Sequence, residues 1–322
     1  MKKTLLLLST MFLVLSCNWM DAFRIVDLST ITGDYEALDG DILTGILADN
    51  YKITIADGAT VKLKNAVIYG VNDEKYPWAG ITALGNATLV LKETNIVKGF
   101  HAEYPGIYVP EGNTLVIEGD GKLNVSSNGY AAGIGCGYKH GRNCGNIVIQ
   151  GGEIYATAGT GSACIGASSE TTCGDITIIT GFITADARNS GGAGIGCGSE
   201  SRCGDITISG GAITAEGGLF SAGIGSSFEA ACGNILISGG IIMARGGESA
   251  AGIGSGCYGS VGNITLTNDI MHVTAEKGDG GEGDEPTPHS IGAGSDCTGL
   301  GTVTIGGVVG PVSESPFVYQ PK

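Results

Sequence analysis

A short apolar element, Ala-Gly-Ile-Gly or a close variant, recurs along the chain with its isoleucine at Ile134, Ile165, Ile195, Ile224, Ile253 and Ile291. The spacings are 31, 30, 29, 29 and 38 residues. Gly-Asn-Ile or Gly-Asp-Ile follows the first five copies, starting at Gly145, Gly174, Gly204, Gly233 and Gly262, and a Gly-x-Ile-x-Ala type of element comes next. The middle piece alternates, as in Ile176-Thr177-Ile178, Ile206-Thr207-Ile208 and Ile264-Thr265-Leu266. Period two puts one face of a strand inward and the other outward, so each unit of about 29 residues predicts three short strands. Looser copies run back through Ile107, Ile81 and Ile46, with Leu115-Val116-Ile117, Leu89-Val90-Leu91 and Ile53-Thr54-Ile55 as strands.

One strand-bearing unit cannot bury its apolar face alone, so such units stack. The pattern predicts an all-β fold, a parallel right-handed β-helix of about nine three-stranded rungs, roughly 43 Å tall at ~4.8 Å per rung. The repeated glycines exclude helices, and a propeller blade needs a unit of about 40 residues with four strands. The expected organisation is a processing signal over 1–16, a linker and N-terminal cap over 17–43, and the solenoid over 44–307. Within it, 44–130 are irregular rungs, 131–277 regular repeats, 278–288 an acidic loop and 289–307 a last rung. Residues 308–322, with Pro311, Pro316 and Pro321, are the expected C-terminal cap, because a solenoid end exposes strand edges.

Composition fits a stack better than a linker. Glycine supplies 58 of 322 residues and charged residues only 15%, yet 42% are hydrophobic, too many for a disordered Gly-rich segment. The formal charge is −15, and removal of Lys2 and Lys3 with the first 16 residues takes it to about −17. So acidic a surface excludes nucleic acid as a partner and admits a polyanion only through a cation such as calcium. Lys2 and Lys3, the apolar run from Leu5 to Leu15, then Ser16 and Cys17 form an export signal too short to span a bilayer. Val14-Leu15-Ser16-Cys17 resembles a bacterial lipobox, which implies lipidation at Cys17 and contact with the membrane through that anchor alone. The expected location is the cell envelope, at the outer membrane or cell surface. Ten cysteines less Cys17 leave an odd number in an oxidising compartment.

Stacking turns each repeat position into a column. Cys144, Cys173, Cys203 and Cys232 form one, which permits rung-to-rung bridges such as Cys144 with Cys173 and Cys203 with Cys232; loop-spanning bridges Cys136–Cys144 and Cys197–Cys203 compete with them. Asn146, Asp175, Asp205, Asn234 and Asn263 form the next column, suited to turns. Asp175 over Asp205 places like charges together and is the candidate calcium pair. Eight of the 20 aromatic residues lie between Tyr69 and Tyr138. Tyr76, Trp78, Tyr104, Tyr108, Tyr130 and Tyr138 are the candidate ligand-binding rings, because sugar rings pack their C–H faces on aromatic faces. Glu103 and Glu111 lie nearby as partners for hydroxyls or calcium. No catalytic residue is assigned: none of the five arginines faces an evident acidic cluster, and the four histidines form no motif.

With the lipobox, the Ala-Gly-Ile-Gly and Cys-Gly-Asp/Asn-Ile elements and the stretch Val303-Thr304-Ile305-Gly306-Gly307, the chain resembles repeat proteins of anaerobic bacterial surfaces. It is similar, more loosely, to β-helix carbohydrate-binding lipoproteins that bind cellulose or acidic plant polysaccharide with calcium. The resemblance covers about residues 40 to 310 and implies a non-catalytic surface lipoprotein that binds polysaccharide. A structural or adhesive surface protein is the alternative from another class, and a polysaccharide lyase the third, since the fold hosts both.

Overall fold

The structure, a computed structural model, describes residues 24–139, 141–280 and 287–321. Cys17, His140 and most of the acidic loop lie outside the described residues. The described chain is a parallel β-solenoid of about 8 turns, near the nine expected. Its strands fall into sheets of 18, ten and five strands. Going around one turn, the chain passes through a two-residue strand at the column isoleucine and a two-residue strand at the cysteine column. Two segments of the long sheet follow, as in Ile224–Gly225, Ala231–Cys232, Ile235–Ile237 and Ile241–Arg245. The cysteine column is thus a fourth strand in the regular turns, where the sequence pattern showed only a turn.

Successive turns pair in parallel and in register, Ile195 with Ile224, Cys203 with Cys232, Ile206 with Ile235 and Ala215 with Ala244. Register holds because a slip of one residue would send every inward side chain outward. The column isoleucines are fully buried, as are Ala156, Ala185, Ala215 and Ala244. Burying one such isoleucine contributes about 1.5–3 kcal/mol.

The two ends differ. The parallel ladder starts at Arg24–Asp27, which pairs with Asp41–Thr44, so part of the expected N-terminal cap is already solenoid. There Arg24 donates to both Asp41 oxygens at 2.8 and 2.7 Å, and the Tyr35 hydroxyl and the Leu38 N–H donate to Asp41 at 2.8 and 2.9 Å. At the C-terminus the chain reverses and closes three edges with antiparallel pairings. Val308–Val309 covers Thr304–Ile305, Phe317–Tyr319 covers Val273–Ala275, and Val312 bridges to Ile291. An open parallel edge would template further strands, and an antiparallel strand removes its free N–H and C=O groups.

Candidate functional site

The corners on either side of the column isoleucine stack into one edge of the solenoid. In the irregular turns this edge carries the aromatic residues. The six candidate rings fall into two groups. Tyr76 and Trp78 meet at 5.4 Å and are half-buried against the core, with Trp78 lying 6.0 Å from Phe100, itself 1% exposed. They cover an apolar corner. The other four surround a cleft of about 430 Å³ or flank it.

Tyr104, Pro105, Tyr108, Gly137 and Arg142 line that cleft. The Arg142 guanidinium lies 5.0 Å from the Tyr104 ring centre, pairs with Glu103 at 2.8 Å and donates to the Tyr138 carbonyl at 2.8 Å. The Tyr108 hydroxyl donates to the Asn143 carbonyl at 2.9 Å, and burial pushes its pKa up. Asn143 donates to Glu111 at 3.1 Å. Glu103 and Glu111 are therefore engaged by neighbours within the chain. The loop carrying Tyr138, Arg142 and Asn143 is closed by the Cys136–Cys144 disulfide, whose Cα atoms lie 4.8 Å apart. Of the competing pairings, the bridge across one loop forms at this position. The column neighbours Cys144 and Cys173 share a β-bridge and no disulfide.

Tyr130 and Tyr138 pack at 5.1 Å, four residues before and four after Ile134. The same offsets around Ile224 hold Phe220 and Phe228, 6.0 Å apart, and Tyr258 meets Phe228 at 5.9 Å. This second aromatic pair escaped the sequence reading. Around Ile165 and Ile195, the two turns between, the offsets hold Gly161 with Ser169 and Gly191 with Ser199. Two ring pairs three turns apart, about 14 Å, thus bracket a floor of small residues. Gly161, Gly191, Ser199, Phe220 and Phe228 line a second cleft of about 470 Å³. Beneath it, buried Ser221 and Ser227 share a hydrogen bond at 2.7 Å, and their hydroxyl oxygens lie 3.0 and 3.3 Å from the Gly191 carbonyl, which accepts from one of them. The signal was legible at plus and minus four from each column isoleucine.

Asp175 and Asp205 do stack. Each uses an oxygen as acceptor for the next turn: Asp175 for the Asp205 N–H at 2.8 Å, Asp205 for the Asn234 N–H at 2.7 Å. Asn146 accepts from Asp175, and Asn234 from Asn263, in the same way. Among the described residues, the groups of three or more His, Cys, Asp or Glu side chains placed to share an ion are Cys136, Cys144, Cys173 and Cys197, Cys203, Cys232.

Fold and edge together define a parallel β-solenoid with a bracketed, partly aromatic trough along one side. The family model described as Beta helix repeat matches residues 115–138, 206–228 and 235–257. Each match begins in the long sheet, passes the column isoleucine and ends in the corner beyond it. No curated protein and no solved structure matches the chain.

Proposed function

We propose that the chain is a non-catalytic cell-surface lipoprotein that binds neutral polysaccharide along the edge from Tyr104 to Phe228. The observation that carries this reading is the pair of ring clusters at equivalent positions three turns apart, with a glycine and serine floor between. A repeating polymer suits a repeating surface. Its C–H faces pack on the negative faces of the rings and bury apolar area there. The Ser169 and Ser199 hydroxyls donate to the Gly161 and Gly191 carbonyls at 2.9 and 3.3 Å and keep lone pairs for sugar hydroxyls.

Neutral sugar is favoured over uronate by charge. Arg142 already pairs with Glu103, and the chain is strongly acidic. Calcium is then dispensable. Envelope location rests on Cys17, and palmitate label lost on Cys17→Ala reports the anchor. The test of binding is a glycan array of wild type, Tyr138→Ala and Phe220→Ala, with and without calcium. Binding to neutral glycans should fall at least about tenfold in each variant and ignore calcium. Undiminished binding in both variants overturns the site.

A second reading has its own observation. On the outward face of the long sheet Phe182, Met243 and Met271 are 69, 52 and 58% exposed, beside Ile241. Contiguous apolar surface of this kind marks protein contact. Cell attachment that ignores competing glycans and is lost on Phe182→Ser would favour an adhesive role.

A further inference from the structure

Cys197, Cys203 and Cys232 are fully or nearly buried, and their sulfurs lie within 4.8 Å of one another. Cys203 and Cys232 are column neighbours on successive turns, paired in register. Cys197 follows the Ile195-Gly196 strand on the adjoining corner and faces both. That corner position holds Ala167, Ser226, Ser255 and Ala293 in other regular turns and cysteine only as Cys136 and Cys197. Both exceptions fall where two column cysteines pass, so each makes a trio. In the first trio Cys136 and Cys144 are joined, whereas the second keeps three thiols.

We propose that Cys197, Cys203 and Cys232 form a three-thiolate site for a soft divalent d10 cation of the zinc and cadmium class. A metal–sulfur distance of about 2.3 Å in a trigonal site requires sulfurs about 4.0 Å apart, and a tetrahedral one about 3.8 Å. Closing from within 4.8 Å takes less than ~1 Å of movement, within the reach of side-chain rotation. Thiolate ligands select soft ions over calcium or magnesium. Each cysteine releases its proton on ligation, so three protons leave and the site keeps one net negative charge. A monovalent ion would leave two in the same buried volume, which disfavours it. All three cysteines belong to the buried core, so ligation shields the ion from water. The three sulfurs lie in the buried core, and Cys197 stands two residues before Ser199 of the trough.

The test is titration with cadmium chloride of the full-length protein carrying Cys136→Ser and Cys144→Ser, which removes the first trio, reduced and kept free of oxygen. A sulfur-to-cadmium charge-transfer band should saturate at one ion per chain, with about three protons released and a raised melting temperature. Cys197→Ala should lose at least about tenfold in affinity while keeping the fold, because alanine occupies the equivalent position at Ala167 and Ala293. Cys232→Val should do the same, with Val261 as its precedent one turn on. Cys297→Ser should leave the band intact. A missing band, a band unchanged in Cys197→Ala, or a Cys197–Cys203 disulfide that persists under reductant overturns the proposal.

Discussion

Replacing Gly196 by alanine tests the packing of the stack directly. Gly196 has φ +132°, and an added Cβ would sit 2.1 Å from the Gly225 carbonyl oxygen one turn on. That oxygen accepts the Cys197 N–H at 3.0 Å, so the clash falls on a ladder bond. An L-residue in this backbone region costs about 1–3 kcal/mol. Overpacking adds about 1–3 kcal/mol, and loosening the ladder bond about 1 kcal/mol, for a total of about 3–7 kcal/mol. Gly58→Ala is the control: φ is +76° but nothing lies within 4 Å, leaving only a left-handed penalty of about 1–2 kcal/mol. Guanidinium unfolding followed by far-UV circular dichroism reads both. With a slope of ~6 kcal/mol per molar, Gly196→Ala should lower the midpoint by about 0.5–1.2 M, and Gly58→Ala by no more than about 0.3 M. Coincident midpoints would refute the account of why this column is glycine.

Two further outcomes concern the carboxylates. Asp205→Ala should lower stability by about 1 kcal/mol, through the lost acceptor for the Asn234 N–H, while Asp205→Asn should retain it. Removing calcium should leave the wild-type melting temperature unchanged; a drop abolished by Asp205→Asn would show an ion where the ladder has only hydrogen bonds. For Asp41, burial acts to raise the pKa, but Arg24, the Leu38 N–H and the Tyr35 hydroxyl prevail and hold it below the ordinary value. A depressed pKa stabilises the fold above the unfolded value of about 3.9, and the benefit disappears as pH falls through the folded one. The stability gap between wild type and Asp41→Asn should be full at pH 5 to 7 and shrink below about pH 4, and an undiminished gap at pH 2 contradicts this.

The fold was legible because a solenoid writes its geometry as a period. Isoleucine at one position per turn, alanine at another and glycine where backbones meet are each required again every ~4.8 Å. The ends were less legible. Arg24–Asp27 has no repeat signature, yet it joins the ladder, because Val26 and Leu28 still alternate inward. Disulfide pairing was not legible either, since Cys144 has Cys136 on its own turn and Cys173 on the next, and both satisfy the spacing rule. Only the direction of the side chains decides.

The site was half legible for a related reason. Density of aromatics along the chain pointed to residues 69–138, but density does not say which way a ring faces. Phe100 is buried at the corner, with Trp78 packed on it and Tyr76 against Trp78, whereas Tyr130 packs on Tyr138 and stays 46% exposed. Phe220 and Phe228 add little to any local count, being eight residues apart with the strand Ile224–Gly225 between them. The fold folds that interval back, so both rings come to one edge. In a stack, most positions are fixed by contact with the turns above and below. The corner positions four residues from the column isoleucine admit a wider range of side chains, and from Tyr130 to Phe228 they vary from tyrosine to glycine, serine and phenylalanine. Rings returning in register after three turns, at positions that hold glycine and serine in the turns between, are what the proposed ligand spanning several turns would use.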